Sequence, residues 1–264
     1  MVDYTSWEPW YEKIRAAFGY SLEKDEEASR VLDELLGEHD VEAALKHLRA
    51  LLSDRTAVVF GAGPNLDGHI EALMGSAEEL SGLALVAADG ATSGLMEHGL
   101  VPDVIATDLD GDMHDILEAH GHGSVIVVHA HGDNIEALKE HVPFFRSGLT
   151  VGTCQTKPVG KIRNFGGFTD GDRAVFLVLH FGASRALLAG WSFGGMVGRH
   201  SKPWLKKAME AGPVKRKKLS FARELISWLA CLHPGRIFVL EEDIPDTTRL
   251  EVADLPSFLQ GAGD

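Results

Sequence analysis

The sequence predicts an α/β protein built on a doubly wound, mostly parallel sheet. From Thr56 onward, short apolar runs of strand length alternate with segments of helical periodicity, and the connections between them are short. This alternation is typical of parallel strands joined by right-handed helical crossovers. With 264 residues, of which 45% are hydrophobic, the chain is long enough to bury a core on both faces of such a sheet.

The first 52 residues precede this alternation and are predicted to form an N-terminal helical cap. They contain no β-branched runs, and their apolar residues recur at helical spacing in three groups that begin at Trp7, Val31 and Ala44. The predicted division is therefore a helical cap at 1–52 and an α/β domain at 53–264, whose core spans residues 56–200.

The elements of the α/β domain follow in order along the chain. Strands are predicted at 56–60, 83–87, 103–106, 124–128, 149–153, 185–190 and 236–240. Helices are expected around 66–75, 91–97, 112–120 and 170–181, with a C-terminal helical pair at 203–209 and 216–232. The run at 236–240 is the final predicted strand.

Charge and cysteine content narrow the classes of protein that fit. A formal net charge of −14 argues against a nonspecific nucleic-acid surface, because phosphate neutralisation needs clustered Lys and Arg. Cys154 and Cys231 form no CxxC motif, no secretory signal pattern is visible, and no run approaches the roughly 18 apolar residues of a membrane span. We expect a soluble cytoplasmic protein that acts on small molecules, and a homo-oligomer is compatible with this composition.

Acidic residues follow three successive predicted strands. Asp89 follows the second strand, Asp108, Asp110 and Asp112 follow the third, and Asp133 follows the fourth. In an open parallel sheet the ligand crevice lies beyond the carboxyl ends of the strands, so these carboxylates are expected to converge. The pattern predicts an acidic pocket for a hard cation and the phosphates it carries. Asp112 also directly precedes a predicted helix and is interpreted as its N-cap.

A glycine-rich loop at 61–68 follows the first strand, where dinucleotide-binding folds hold phosphate. The spacing does not match G-x-G-x-x-G, because Leu66 stands at the third glycine and Pro64 removes a backbone donor. Asp89 ends the second strand as a ribose ligand would, so a nicotinamide enzyme stays open as an interpretation. Contact between this loop and some ligand is favoured over a purely structural turn.

Spacing excludes two common motifs for phosphate and calcium. The Gly-Lys pair at 160–161 is followed by Ile162 and not by the Ser or Thr of a Walker A loop. An EF-hand that began at Asp108 would need glycine and glutamate where Met113 and Ala119 stand. A glycosyltransferase-type Asp-x-Asp site for a metal-bound nucleotide sugar remains open.

His129 and His131 stand at alternate positions at the end of the fourth strand. If both continue the strand they share a face, as histidine ligands of zinc or iron do in metallohydrolases. The neighbouring strand ends supply oxygen ligands, which favour Mg²⁺ over Zn²⁺. A histidine-ligated metal is therefore the secondary interpretation.

Two basic segments interrupt this acidic chain. Lys157, Lys161 and Arg163 lie within the stretch 151–168, which is rich in Gly and Thr and is predicted to be a mobile loop. Beside a carboxylate-metal site these cations could neutralise phosphate, but a solvated surface loop explains them equally well. The basic run at 215–218 begins a predicted helix and is interpreted as solvated.

Short motifs in the strand-end region are similar to the hallmark of the thiamin diphosphokinase superfamily. The chain has an Asp-Gly step at 89–90, a Pro-Asp step at 102–103 and an Asp-x-Asp motif at 108–110. It departs from the thiamin enzymes because Gly111 stands where they have serine and no β-sandwich pattern follows. These departures shift the expected acceptor towards pterin, with thiamin diphosphokinase as the alternative.

Longer strings resemble the archaeal 6-hydroxymethyl-7,8-dihydropterin diphosphokinase (MptE-like) family. They are TDLDGD at 107–112, HAHGDN at 129–134 and NFGGFTDGDR at 164–173. The resemblance spans residues 56–200 and implies transfer of diphosphate from ATP to the hydroxymethyl group of a reduced pterin, with AMP as the second product. Wider relatives include proteins linked to flagellin glycosylation, so a nucleotide or nucleotide-sugar binding protein is a further alternative.

For that reaction the resemblance implies Mg²⁺ as cofactor and ATP as co-substrate. Mg²⁺ is expected on Asp108, Asp110 and Asp133, where it would neutralise phosphate oxygens and align the attack on the β-phosphorus. His131 and Asp133 are both candidates for a general base. The expected ATP contacts are Gly61, Gly63, Asn65, Lys157, Lys161 and Arg163. The expected pterin contacts are Asp89, which is also a candidate to share the metal, and Gly90, Asn134 and Gln155.

Overall fold

A computed structural model, which describes residues 2–75, 80 and 82–260, confirms the doubly wound α/β fold. The strands within these residues are β1 (Thr56–Phe60), β2 (Ala84–Ala88), β3 (Val104–Thr107), β4 (Val125–Ala130), β5 (Thr150–Cys154), β6 (Arg185–Ala189), β7 (Met196–Val197), β8 (Met209–Glu210), β9 (Ile237–Leu240) and β10 (Thr248–Leu250). Eight of them form a parallel sheet in the order β10-β9-β6-β1-β2-β3-β4-β5. The other two, β7 and β8, form a short antiparallel pair.

Helices cover both faces of the sheet. The described α-helices are α1 (Tyr4–Phe18), α2 (Leu22–Leu35), α3 (Val41–Leu52), α4 (Leu66–Met74), α5 (Ala91–Glu97), α6 (Met113–Gly121), α7 (Ile135–His141), α8 (Asp170–His180), α9 (Pro213–Leu232) and α10 (Leu255–Gln260). Within the described residues, no helix is both long enough and apolar enough to span a membrane.

Alternate residues of the strands enter two separate hydrophobic cores. In β1, Ala57 and Val59 pack into one core, while Val58 and Phe60 pack into the core on the opposite face. Successive side chains of a strand point to opposite faces, so a strand that is apolar throughout needs helices on both sides. This explains why continuous apolar runs, and not alternating ones, predicted the strands.

The three N-terminal helices belong to both cores. Trp7 and Tyr11 of α1 are fully buried in the core that contains Val59, and Leu32 of α2 is fully buried in the opposite core. Each helix begins at a polar N-cap, where the side chains of Asp3, Ser21 and Asp40 accept hydrogen bonds from the backbone N–H three residues later. The boundary at residue 52 stays a prediction, and the helices before it are packed into the domain that follows.

The C-terminal third differs from the prediction. The helix expected at 203–209 is wrong, because residues 202–208 form turns and loop, and Met209 pairs with Val197 of β7. Its apolar residues find no core, since Trp204 is 73% exposed. The second helix of the expected pair is present as α9, which begins at Pro213 and so includes the whole basic run. Both β10 and α10 were absent from the prediction.

Candidate active site

A cleft opens at the carboxyl ends of β1 and β6, where the strand order changes direction. This main cleft has a volume of about 1110 Å³ including its mouth, and the turns after the two strands bring Gly61, Gly63, Gly190 and Trp191 to its wall. The Gly63 N–H donates to the Gly190 carbonyl oxygen over 2.7 Å, and a Cβ on Gly63 would lie 2.5 Å from that oxygen. Ligand crevices of doubly wound folds lie at this kind of switch point.

Three carboxylates meet at the floor of the main cleft and form what we call the acidic triad (Asp89, Asp108 and Asp110). One oxygen from each lies within 4.8 Å of the other two. The backbone holds Asp89 in the left-handed region at φ 43°, and its carboxylate accepts a 2.6 Å hydrogen bond from the Thr107 hydroxyl. That hydroxyl in turn accepts from the backbone N–H of Leu109 over 2.8 Å, which fixes the turn after β3.

The electrostatics of the acidic triad fit a divalent cation. Burial, followed by the charges of Asp108 and Asp110, raises the pKa of Asp89 to about 8. Burial also opposes ionisation of Asp108, but the hydrogen bond from His131 and the charge of Lys202 outweigh it and hold the pKa of Asp108 below its ordinary value. Asp108 Oδ1 is buried with no hydrogen-bond partner among the described residues. Clustered carboxylate oxygens with an unpaired member are ligands suited to Mg²⁺.

The structure places Asp133, one of the expected metal ligands, outside the acidic triad. The turn after β4 packs against α2, because the Gly132 N–H donates to Asp25 over 2.8 Å, and Asp133 is exposed beyond it. Asp89 takes the third position instead. Sequence reasoning gave Asp89 mainly to the pterin, since periodicity does not show how far each strand-end turn extends.

His131 and Asn134 have structural partners in the same turn. His131 Nδ1 lies 3.3 Å from the Asp133 backbone N–H, which can only donate, so the neutral ring carries its proton on Nε2, 3.3 Å from Asp108 Oδ2. This tautomer orients Asp108 and has no free lone pair for the expected role of general base. The Asn134 amide donates to the carbonyls of Asp108 and His129 and accepts from the His131 N–H, so it ties two strand ends together and has little capacity left for the expected pterin contact.

The two histidines of β4 and its turn do not form a metal site with a third ligand. Their rings lie 6.2 Å apart, but His129 Nδ1 contacts the Arg173 guanidinium at 2.6 Å. Burial, followed by the charges of Arg173 and His131, lowers the pKa of His129 well below its ordinary value, so the ring is neutral. Among the described residues, neither histidine belongs to a group of three side chains that could hold a metal ion.

Two residues that were expected to contact ligands, Gly90 and Asn65, are packed against neighbouring segments of the protein. Gly90 borders the main cleft, and a Cβ there would collide with the carbonyl oxygen of His200 in the segment between β7 and β8. Asn65 does not line the main cleft, and its side-chain amide donates to the Trp191 carbonyl oxygen over 3.1 Å. Both residues therefore shape the walls on which a ligand would rest.

The cations expected to bind phosphate lie away from the main cleft. Lys161 donates to three backbone carbonyls at the end of α2, and Arg163 pairs with Glu42 at 2.7 Å. Lys157 is exposed and does not line the cleft. The expected mobile stretch begins inside β5 and is anchored there, because the Cys154 N–H donates to the Arg163 carbonyl oxygen over 2.9 Å.

Other lysines line the main cleft. Lys202, from the segment between β7 and β8, forms an ion pair with Asp110, and Lys215 and Lys218 reach the cleft from the first turns of α9. Lysines three residues apart share one face of a helix, so the basic run at 215–218 carried a usable signal. The interpretation of that run as solvated is wrong for these two lysines, because its sequence position gives no sign that α9 begins beside the main cleft.

Asp170 is a further residue of the site that sequence reasoning passed over. It is the first residue of α8 and lines the main cleft beside the acidic triad. Burial, followed by the charges of Asp108 and Asp89, raises its pKa well above the ordinary value. The sequence around Asp170 is also that of an ordinary helix start, because Thr169 and Asp172 form a capping box there. Its position at the site is therefore not visible from the sequence.

One family's sequence model and three individual proteins are similar to this chain, and their names describe the same activity. The sequence model described as "6-hydroxymethylpterin diphosphokinase MptE-like" matches residues 32–196. Three archaeal proteins, each named 6-hydroxymethyl-7,8-dihydropterin pyrophosphokinase, are similar over most of the chain. The one from Pyrococcus furiosus is 46% identical, covering 90% of this chain and 98% of that protein. Those from Methanothermobacter thermautotrophicus and Methanocaldococcus jannaschii are 44% and 38% identical, covering 84% and 86% of this chain and 93% and 96% of those proteins.

Among solved structures, the MAf glycosyltransferase from Magnetospirillum magneticum AMB-1 has a similar fold. The TM-score is 0.53 at 12% sequence identity, and the match covers 89% of this chain and 41% of that one. At this level of identity the likeness concerns the fold alone.

Proposed function

Because this chain belongs to the MptE-like 6-hydroxymethylpterin diphosphokinase family, we propose that it transfers diphosphate from ATP to 6-hydroxymethyl-7,8-dihydropterin with the help of Mg²⁺. In this reaction the hydroxymethyl oxygen forms a bond to the β-phosphorus of ATP. The bond between the β-phosphorus and the oxygen that bridges it to the α-phosphorus breaks, and AMP leaves. The hydroxyl proton is released, so the products are the pterin diphosphate, AMP and a proton.

The observation that carries this proposal is the acidic triad at the floor of a lysine-lined cleft. When bound to Asp89, Asp108 and Asp110, Mg²⁺ would neutralise phosphate oxygens and make the β-phosphorus more electrophilic. His131 orients Asp108 for this role through the 3.3 Å contact between its Nε2 and Asp108 Oδ2. Asp108 Oδ1 is buried without a hydrogen-bond partner among the described residues, so a bound cation would offset the cost of its desolvation.

The lysines of the main cleft supply the positive charge that a triphosphate needs. Lys215 and Lys218 lie near the N-terminus of α9, where the helix dipole also favours anions. Lys202 is paired with Asp110 and is therefore positioned at the boundary between metal and phosphate. The apolar part of the cleft, formed by Trp191, Phe193 and their neighbours, provides a surface for the adenine ring.

The proposal is tested by AMP formation from ATP, Mg²⁺ and 6-hydroxymethyl-7,8-dihydropterin. We expect pterin-dependent AMP that disappears with EDTA, and no AMP when thiamin replaces the pterin. Asp110→Asn should lower the rate about 100-fold or more, since loss of a metal contact costs at least as much as loss of its supporting residues. Asp112→Asn is the matched control, because Asp112 caps α6 through the His114 N–H and Asn is an equally good cap. Turnover of thiamin, or full activity of Asp110→Asn, would contradict the proposal.

A further inference from the structure

A smaller compartment adjoins the main cleft on the side of the N-terminal helices. This side compartment is lined by Tyr20, Asp25, His131, Gln155 and Arg173, and it shares Asp108, Phe168 and Lys218 with the main cleft. Its volume including the mouth is about 480 Å³, against about 1110 Å³ for the main cleft. The two spaces therefore meet at one carboxylate of the acidic triad.

We propose that the side compartment binds the pterin ring and that the Gln155 side chain recognises its pyrimidinone edge. This inference rests on the proposed function and adds the location of the acceptor. With the triphosphate in the main cleft and the pterin in the side compartment, the hydroxymethyl group would approach the acidic triad from the side of Asp108.

Gln155 carries the inference because its side chain is buried without a partner. It is 4% exposed, it lines the side compartment, and its Oε1 has no hydrogen-bond partner among the described residues. Its backbone is fixed, since its carbonyl oxygen accepts a 2.9 Å hydrogen bond from Trp7 Nε1. A buried amide oxygen is normally paired, so this atom is expected to find its partner in a ligand.

The chemistry of the compartment suits a 2-amino-4-oxopyrimidine. That ring edge presents N–H donors beside a carbonyl acceptor, and a glutamine amide offers the complementary acceptor and donor in one plane. Tyr20 and Phe168, whose ring centroids lie 6.4 Å apart, add aromatic surface for a flat bicyclic ring. Asp25 is held rigidly by hydrogen bonds of 2.8 Å from the Tyr11 hydroxyl and the Gly132 N–H, so the wall is preorganised.

Adenine also presents a donor-acceptor edge to an amide, and the position of the phosphate-binding groups decides between the two rings. The glycine turn at 61–63, Lys202 and Lys215 all line the main cleft and not the side compartment. A nucleotide whose adenine lies on the apolar wall at Trp191 and Phe193 would keep its whole length beside these groups, within the main cleft. The smaller space is therefore assigned to the acceptor, which carries no phosphate before the reaction.

The test measures pterin and ATP binding separately in the full-length protein. Gln155→Leu removes the amide at similar volume, and because its Oε1 is unpaired the substitution should leave the fold intact. We expect KM for the pterin, and the Kd for 6-hydroxymethylpterin measured by its fluorescence, to rise about tenfold or more, with KM for ATP unchanged. Gln260→Leu, at the exposed end of α10, is the matched control and should alter neither constant.

Circular dichroism and thermal melting check that each variant is folded. Tyr20→Leu is the second variant, which removes an aromatic face of the compartment and should weaken pterin binding alone. An unchanged pterin Kd in folded Gln155→Leu, or a rise in KM for ATP in place of the pterin, overturns the inference. Wild-type protein that makes no AMP with the pterin overturns the proposed function itself, whereas wild-type turnover with unaffected Gln155→Leu overturns only the location of the acceptor.

Discussion

Gly111 lies against the carboxylate of Asp89, and its lack of a side chain leaves room for the acidic triad. A Cβ at this position would lie 2.7 Å from Asp89 Oδ2 and 2.8 Å from Oδ1. Because Asp89 is buried and held by Thr107, its carboxylate can give way only by leaving the position in which it meets Asp108 and Asp110. The glycine that distinguished this chain from the thiamin enzymes therefore has a local structural reason.

Gly111→Ala should accordingly weaken Mg²⁺ binding while leaving the fold intact. We expect the Kd for Mg²⁺, measured by isothermal titration calorimetry, to rise about tenfold or more. Gly121→Ala is the control, because a Cβ there meets nothing within 4 Å and α6 gains a better helix former. Equal Mg²⁺ affinity in Gly111→Ala and wild type would show that Asp89 is not a metal ligand.

The pKa of Asp89 makes a second prediction at the residue scale. Its pKa in the folded protein is about 8, above the roughly 3.9 of an unfolded chain, so the folded state binds the extra proton between these values. Metal-free protein should therefore lose stability as the pH rises from about 4 to 8. Asp108 adds little to this trend above about pH 5, since its pKa is lowered in the folded protein and an unfolded aspartate is also ionised there.

Asp89→Asn removes the proton-linked contribution of that side chain and should raise the Tm of EDTA-treated protein at pH 8, with a smaller difference at pH 5. Asparagine tolerates the φ of 43° at this position, so backbone strain does not complicate the comparison. Addition of Mg²⁺ should raise the Tm of wild type and have little effect on the variant. A lower metal-free Tm for Asp89→Asn at pH 8 would contradict the assignment of repulsion within the acidic triad.

At the scale of elements, the N-terminus of α9 provides the cations that the loop after β5 was expected to provide. Lys215→Ala combined with Lys218→Ala should raise KM for ATP about 10–100-fold, because each removes a charge-assisted contact to phosphate. Steady-state kinetics at fixed pterin would measure this effect, which should shrink at high ionic strength. Lys157→Ala, in the exposed loop, is the control and should leave KM for ATP unchanged. A raised KM for ATP in Lys157→Ala, with an unchanged KM in the double variant, would instead assign phosphate binding to the loop after β5.

The elements also show where sequence reasoning succeeds and where it stops. Strand-end aspartates predicted the site, because parallel strands deliver their carboxyl ends to one edge and the pattern is local to each strand. The third member of the acidic triad was not predictable in the same way, since Asp89 or Asp133 is selected by how the turn at Gly132 packs on α2. The lysines of the cleft come from distant parts of the chain: Lys202 pairs with Asp110 across about 90 residues, and Lys215 and Lys218 arrive with α9. No local periodicity encodes such approaches.

At the scale of the whole molecule, the N-terminal helices take part in both the core and the candidate acceptor site. The connection between α1 and α2 supplies Tyr20, and α2 supplies Asp25, to the side compartment, while Trp7 bonds the Gln155 carbonyl oxygen. These three residues precede residue 32, where the match to the family's sequence model begins. Helical spacing predicted the helices, but nothing in that spacing showed that they wrap both faces of the sheet and form part of the cleft.

A truncated protein that begins at residue 53 should therefore fail to fold. It lacks large side chains that are fully buried in the two cores, which are Trp7, Tyr11, Ile14, Leu32, Leu36, Leu48 and Leu52. Each contributes about 1.5–3 kcal/mol through burial, so their joint loss of about 10–20 kcal/mol is as large as the roughly 5–15 kcal/mol by which a typical domain is stable. Circular dichroism and urea unfolding of the 53–264 fragment against the full chain would measure this. A fragment that unfolds cooperatively, with a midpoint close to that of the full chain, would instead establish residues 1–52 as a separate cap and would require the side compartment to have a different wall.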